Sequence, residues 1–283
     1  MSVAKINVLI AVRLRAMAQY RKSLAAESKF NVNIVTNVEK LHEALVNKDK
    51  PTDVLVIDNA LENTDTFELV REIRKTYARL LIILVDEDAD FAMPGHADEV
   101  STHPFEDDEL SKIIKRLFES RRLETLRADS LPPVRHFAKA LLKAKGPAKT
   151  QAAVSAIQEL GYDYVAFFSI RPADPPVISL AAQAGPESVT RVAPTRQDYE
   201  NSVVGWVAQK GQSRIVGPDD TPNHPFITKG RFGTAALIPV GTTLRFGVVM
   251  ACREEPGSID QKNVLMLELV SAQLASSLAR DNK

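Results

Sequence analysis

Along residues 6–120, short apolar runs alternate with stretches that are apolar on one face only. Five runs read as strands: 7–11, 32–36, 54–57, 80–85 and 99–102. They are short and rich in β-branched residues, as strands covered on both faces should be. Helical spacing lies between and after them. One pattern carries Leu14, Met17 and Leu24, and a second carries Leu41, Ala44 and Leu45. A third carries Phe67, Val70 and Ile73, and the last carries Leu110, Ile113, Ile114 and Leu117. This order predicts (βα)5: a doubly wound parallel sheet with helices on both faces. The last helix stays helix-compatible to about Ala128. Pro132 and Pro133 then interrupt it, since proline cannot continue a helix.

The pattern changes after the prolines. Helical spacing recurs at 134–145, 151–160 and 199–210, the last ended by Gly211. Strands are expected at 164–170 and 177–183, joined by the turn "RPADPP". "SRIVG" reads as a short strand and "PDDTPNHPFITKGR" as a polar loop. "GTAALIPV" and "TLRFGVVMAC" form a hairpin around Gly241, and an amphipathic helix covers 260–280. One antiparallel sheet with helices at both ends is α+β. The expected domains are 1–122, a helical linker at 123–133, and 134–283.

Composition narrows the function classes. The 36 basic and 36 acidic residues balance, so there is no charge argument for nucleic acid. Arg121, Arg122 and Arg127 read as a solvated helix face. The one cysteine, Cys252, rules out an intramolecular disulfide and a cysteine-rich zinc site. No apolar run reaches spanning length, and a cytoplasmic protein with no membrane contact is expected. There is no glycine-rich phosphate loop, no GxSxG elbow and no histidine pair at metal-binding spacing. No metal, cofactor or catalytic residue is expected, and the chain is not expected to be an enzyme.

The stretch "DVLVIDNAL…FELVREIR", with "ADEVSTHPFEDDEL" later, carries a family likeness. On these residues the first half resembles the receiver domain of response regulators. The resemblance implies that Asp58 stands at the phosphoacceptor position. In that family a divalent cation neutralises the carboxylate and the incoming phosphoryl oxygens. An acidic pair at the end of the first strand holds the cation; here Val12 and Arg13 stand there. The family's fourth-strand hydroxyl is replaced by Val85 and its fifth-strand lysine by His103. Two readings stay open. In one, Asp58 is phosphorylated with Asp86, Glu87 or Glu62 as substitute ligands. In the preferred one the domain is a pseudo-receiver in which Arg13 pairs with Asp58, an attraction of roughly 4 kcal/mol before desolvation. The plain reading of His103 is a half-exposed histidine beside Pro104.

The second half resembles a GAF domain through "SVVGWVAQKGQSRIV", "DDTPNHPF", "GTAALIPV" and "LRFGVVMAC". The resemblance implies a small-molecule-sensing and dimerising module. Its ligand pocket would be lined by Phe168, Trp206, Phe226 and Phe232, with polar groups from Arg214, Asn223 and His224. The competing reading packs these aromatics as core. Cys252 is misplaced for attaching a bilin, and a GAF-type methionine sulfoxide reductase would need several cysteines. The expected function is signal transduction by an atypical response regulator acting through protein contacts. Its expected partners are a second copy, through the linker and terminal helices, and a histidine kinase or other signalling protein. A phosphorylatable regulator and a ligand-free dimeric scaffold are the alternatives.

Overall fold

The computed structural model describes residues 5–25, 27–47, 51–62, 64–87, 96–128 and 132–281. Two compact units are present: Met1–Arg74 with Leu80–Glu124, and Lys75–Arg79 with Thr125–Lys283.

The first unit runs β1 (Ile6–Ala11), α1 (Met17–Ala25), β2 (Phe30–Val35), α2 (Val38–Val46), β3 (Val54–Asp58), α3 (Thr66–Thr76), β4 (Leu81–Val85), β5 (Glu99–Ser101) and α4 (Glu109–Ala128). A 3-10 turn, Leu14–Ala16, precedes α1. The sheet order is β2-β1-β3-β4-β5, with every pairing parallel. Every residue of β3 and β4 is buried, which is why those runs carry no polar alternation. This strand order reverses direction between β1 and β3, and the crevice outside their carboxyl ends is where such sheets bind ligands. Asp58 is the last residue of β3. The helix that five βα repeats imply between β4 and β5 would fall on 88–95, which lie outside the described residues; residues 86–87 and 96–98 are not helical.

The second unit comprises α5 (Pro132–Lys143), α6 (Ala148–Gln158), β6 (Tyr164–Arg171), β7 (Val177–Ala184), α7 (Glu187–Thr190), β8 (Arg196–Gln197), α8 (Val203–Lys210), β9 (Arg214–Val216), α9 (Pro225–Thr228), β10 (Thr234–Val240), β11 (Gly247–Arg253) and α10 (Gln261–Asp281). Its antiparallel sheet has the order β8-β7-β6-β11-β10-β9. Side chains alternate between two cores. Val165 and Phe167 of β6 join α5, α6 and α10 on one face. Tyr164, Ala166 and Phe168 join α8 and α9 on the other. Cys252 is fully buried in that second core.

Three local readings shift. Pro132 and Pro133 open α5 rather than merely breaking the chain, because the first helical turn needs no N–H donors. Within the expected linker, residues 129–131 lie outside the described residues. The helix expected from Tyr199 starts at Val203: the Asp198 carboxylate takes the N–H groups of Glu200 and Asn201 at 2.8 Å, and Ser202 caps α8 at Gly205 N. Gly211 ends α8 in the left-handed region, φ 67°.

The start of α8 lies tight against the preceding turn. A Cβ on Gly205 would sit 2.2 Å from the Tyr199 carbonyl oxygen, a backbone atom that cannot swing away. Gly205→Ala is therefore expected to destabilise the chain by about 1–3 kcal/mol, read as a lower urea midpoint at unchanged slope.

Candidate functional site

The carboxyl end of the parallel sheet gathers Val12, Asp58, Val85 and the residues just beyond β5. Val85 stands directly opposite Asp58 in the register of β3 and β4. Val12 is fully buried and joins the apolar cluster on the α1 and α4 side. Asp58 itself is only 8% exposed. An ionised carboxylate so removed from water needs hydrogen-bond donors, and it has two. Oδ2 accepts from the Tyr20 hydroxyl at 3.1 Å, and Oδ1 accepts from Ala60 N at 2.9 Å. The second bond closes an Asx-type turn in which Leu61 N donates to Asp58 O at 3.0 Å.

Tyr20 is 1% exposed and comes from α1. Phe105, beyond β5, meets it edge-on with ring centroids 4.8 Å apart. Burial first, then the adjacent Asp58 charge, push the Tyr20 hydroxyl far above the ordinary tyrosine range. It therefore stays a donor to Asp58 at every ordinary pH.

This corrects the expected partner of Asp58. Arg13 precedes the 3-10 turn with extended backbone (ψ 146°), and its Nε is buried without a hydrogen-bond partner. No ion pair between Arg13 and Asp58 is found among the described residues. The signal that could have found Tyr20 is the spacing of α1: it lies three residues after Met17 and four before Leu24, on the buried stripe.

His103 is exposed; its Nδ1 meets Thr102 Oγ1 at 2.9 Å, and its backbone N–H donates to Glu109 Oε2 at 2.9 Å. Asp86 accepts from the Asn59 side chain at 3.1 Å. Among the described residues no group of three or more His, Cys, Asp or Glu could hold a metal ion. The divalent cation implied by the receiver resemblance does not fit this donor set. An apolar side chain and a guanidinium replace its acidic pair, which leaves Asp58 without a second carboxylate to share the cation.

In the second unit the expected pocket residues are brought together, but mostly as a packed layer. Phe168, Phe226 and Phe232 are at most 3% exposed. Phe226 lies edge-on to Tyr164 and Phe232, and Phe232 stacks on Tyr164 at 5.9 Å. Trp206 is half-buried, and the Arg214 guanidinium lies 5.1 Å from its ring centre. Arg214 donates to Thr221 O at 3.1 Å, while its Nε is buried without a partner. Asn223 braces the 217–224 loop, donating to Gly217 O at 2.6 Å and accepting from His224 N at 2.7 Å.

His224 is fully buried and caps α9, its Nδ1 accepting from Phe226 N at 3.2 Å. The ring proton then sits on Nε2, which faces the Gln197 amide at 3.3 Å. That contact requires the amide oxygen, not the nitrogen, to face the ring. Burial pushes the His224 pKa down to about 4. Burial also pushes the Cys252 thiol well above the usual range.

No family model matches the sequence, and no curated protein matches it. Among solved structures the chain is similar to a free methionine-R-sulfoxide reductase from Neisseria meningitidis in complex with its substrate: 19% identity, 52% of this chain, 86% of that one, TM-score 0.45. It is similar to the GAF domain of a phosphoenolpyruvate-protein phosphotransferase from Coxiella burnetii: 15% identity, 56% of this chain, 95% of that one, TM-score 0.46. A third is a type II free methionine-R-sulfoxide reductase from Thermoplasma acidophilum: 14% identity, 47% of this chain, 92% of that one, TM-score 0.41. The similar structures thus include enzymes. The expectation that the chain is not an enzyme is corrected accordingly, since a likeness of fold spans catalysts and non-catalysts alike. No helix of the described residues is long and apolar enough to cross a membrane.

Two outcomes follow from this geometry. Tyr20→Phe removes a donor from a buried carboxylate and should destabilise the chain by about 1–3 kcal/mol in urea titration. For His224 the folded pKa lies below the unfolded one. Between about pH 6.5 and about pH 4 the unfolded chain therefore binds a proton that the folded chain does not. Stability must fall as the pH drops through that window, by about 1–2 kcal/mol from pH 7 to pH 5. His224→Gln should flatten this slope, measured as urea midpoints at the two pH values.

Proposed function

We propose that the chain is a signal-transduction protein built from a receiver-like module and a GAF-type sensing module. In this reading the first module keeps the receiver layout but not its phosphoryl chemistry. The observation that carries the reading is the missing acidic pair beside Asp58: Val12, fully buried, and Arg13 stand at those positions, while each Asp58 oxygen accepts one bond from this chain.

A phosphoacceptor must present a free oxygen for in-line attack, beside a cation that screens the phosphoryl charge. Here one oxygen is tied to a hydroxyl that does not ionise, and the other closes a turn. The positions that would hold the cation are Val12 and Arg13. Phosphorylating Asp58 would require breaking the Tyr20 bond and bringing more negative charge to a site only 8% exposed. The module therefore sits in one state and serves as a contact surface for another signalling protein.

For the GAF-type module, the supporting observation is a polar group inside an otherwise aromatic layer. His224 and Arg214 are buried beside Phe226 and Trp206, and Arg214 Nε has no partner. Buried polar atoms left unmatched are candidates for contact with a small ligand when the loop opens.

The test is incubation of the full chain with acetyl phosphate and Mg²⁺, read by intact-mass spectrometry. The expected result is no mass gain. A base-labile gain of one phosphoryl group that Asp58→Ala abolishes would overturn the reading.

A further inference from the structure

The outer face of the second unit carries a groove of about 450 Å³ between α5 and α10. Ala138, Leu141 and Leu142 line one wall; Leu269, Ala272 and Gln273 line the other. Leu142 is 76% exposed, the largest exposure of any bulky apolar residue among the described residues. Ser276, Ser277 and Arg280 continue the α10 wall.

The exposed charges on the α5 side of the groove have one sign. Arg135, Lys139 and Lys143 are exposed on α5 at successive steps of four residues, a row that runs beside Leu142. None of the three forms an ion pair with a described residue. Arg280 lines the far end of the groove. The carboxylates nearby on α10 are committed elsewhere: Asp281 pairs with Lys149 at 2.7 Å, and Glu268 accepts from Ser213 Oγ at 2.7 Å.

We propose that this groove docks an acidic amphipathic helix of a partner protein. The trough takes apolar side chains at helical spacing, and the basic row takes carboxylates on the flank of the same helix. α5 is 12 residues long, about 18 Å, so the docked segment is about three turns. A second copy of this chain fits less well, because a two-fold contact on this face brings the same basic row against itself. The proposal does not depend on the state of Asp58.

The experiment uses the full chain and stapled helical peptides of about 12 residues, with Leu at i, i+3, i+4 and i+7. In one peptide the flanking positions are Glu; in the other they are Lys. Binding is followed by fluorescence anisotropy, and the oligomeric state by analytical ultracentrifugation. The expected result is binding of the Glu peptide alone, weakening as salt is raised. Leu142→Glu and the pair Lys139→Glu/Lys143→Glu should each lower the affinity about tenfold or more. All three positions are exposed, so folding should be kept, checked by circular dichroism. Equal binding of the two peptides, or no binding of either, overturns the proposal. So does a chain that sediments as a dimer and dissociates on Leu142→Glu, which would place a second copy in the groove.

Discussion

A carboxylate at the end of a fully buried strand can be kept only if the fold supplies it with donors. Asp58 closes β3, whose every residue is buried, and it is held by Tyr20 from α1 and by its own turn at Ala60. α1, on one face of the sheet, brings Tyr20 to the carboxyl end of β3, and Phe105 from beyond β5 packs edge-on against its ring. The hydrogen bond and the ring contact together join three separate segments at the crevice where an open sheet of this order would otherwise receive a ligand.

The second unit meets a different constraint with the same physics. Its sheet is covered on both faces, so each strand feeds two cores by simple alternation. The core on the α8 side contains His224, a group that ordinarily titrates near neutrality. Capping α9 through Nδ1 fixes its tautomer, and burial keeps the ring neutral. Protonating the ring therefore works against that core. The α5 and α10 side ends instead in an outward apolar groove bordered by cations of α5 that form no ion pair among the described residues. One face of the unit is closed around a polar group, and the other is left open with a charge pattern.

Most elements of both sheets were legible in the sequence because burial on two faces leaves unbroken apolar runs, and an amphipathic helix leaves a stripe. The parallel strands and the β10–β11 hairpin follow directly from such runs. What was not legible came from single side chains overriding a pattern. Asp198 and Ser202 delay α8 by taking N–H groups that a helix would leave free. Two prolines that read as an interruption open α5, because the first turn tolerates them. α7, α9 and β8 are too short to show a period.

The site at Asp58 was half legible. The position of the aspartate follows from the strand run, and Val12 and Arg13 are plain in the text of β1. Its partner is not, because charge alone nominates Arg13, while packing selects Tyr20. The most direct test of this account is calorimetric titration of the full chain with millimolar Mg²⁺, beside an Asp58→Asn variant. The account predicts identical traces with no saturable heat. Saturable Mg²⁺ binding that Asp58→Asn removes would contradict it.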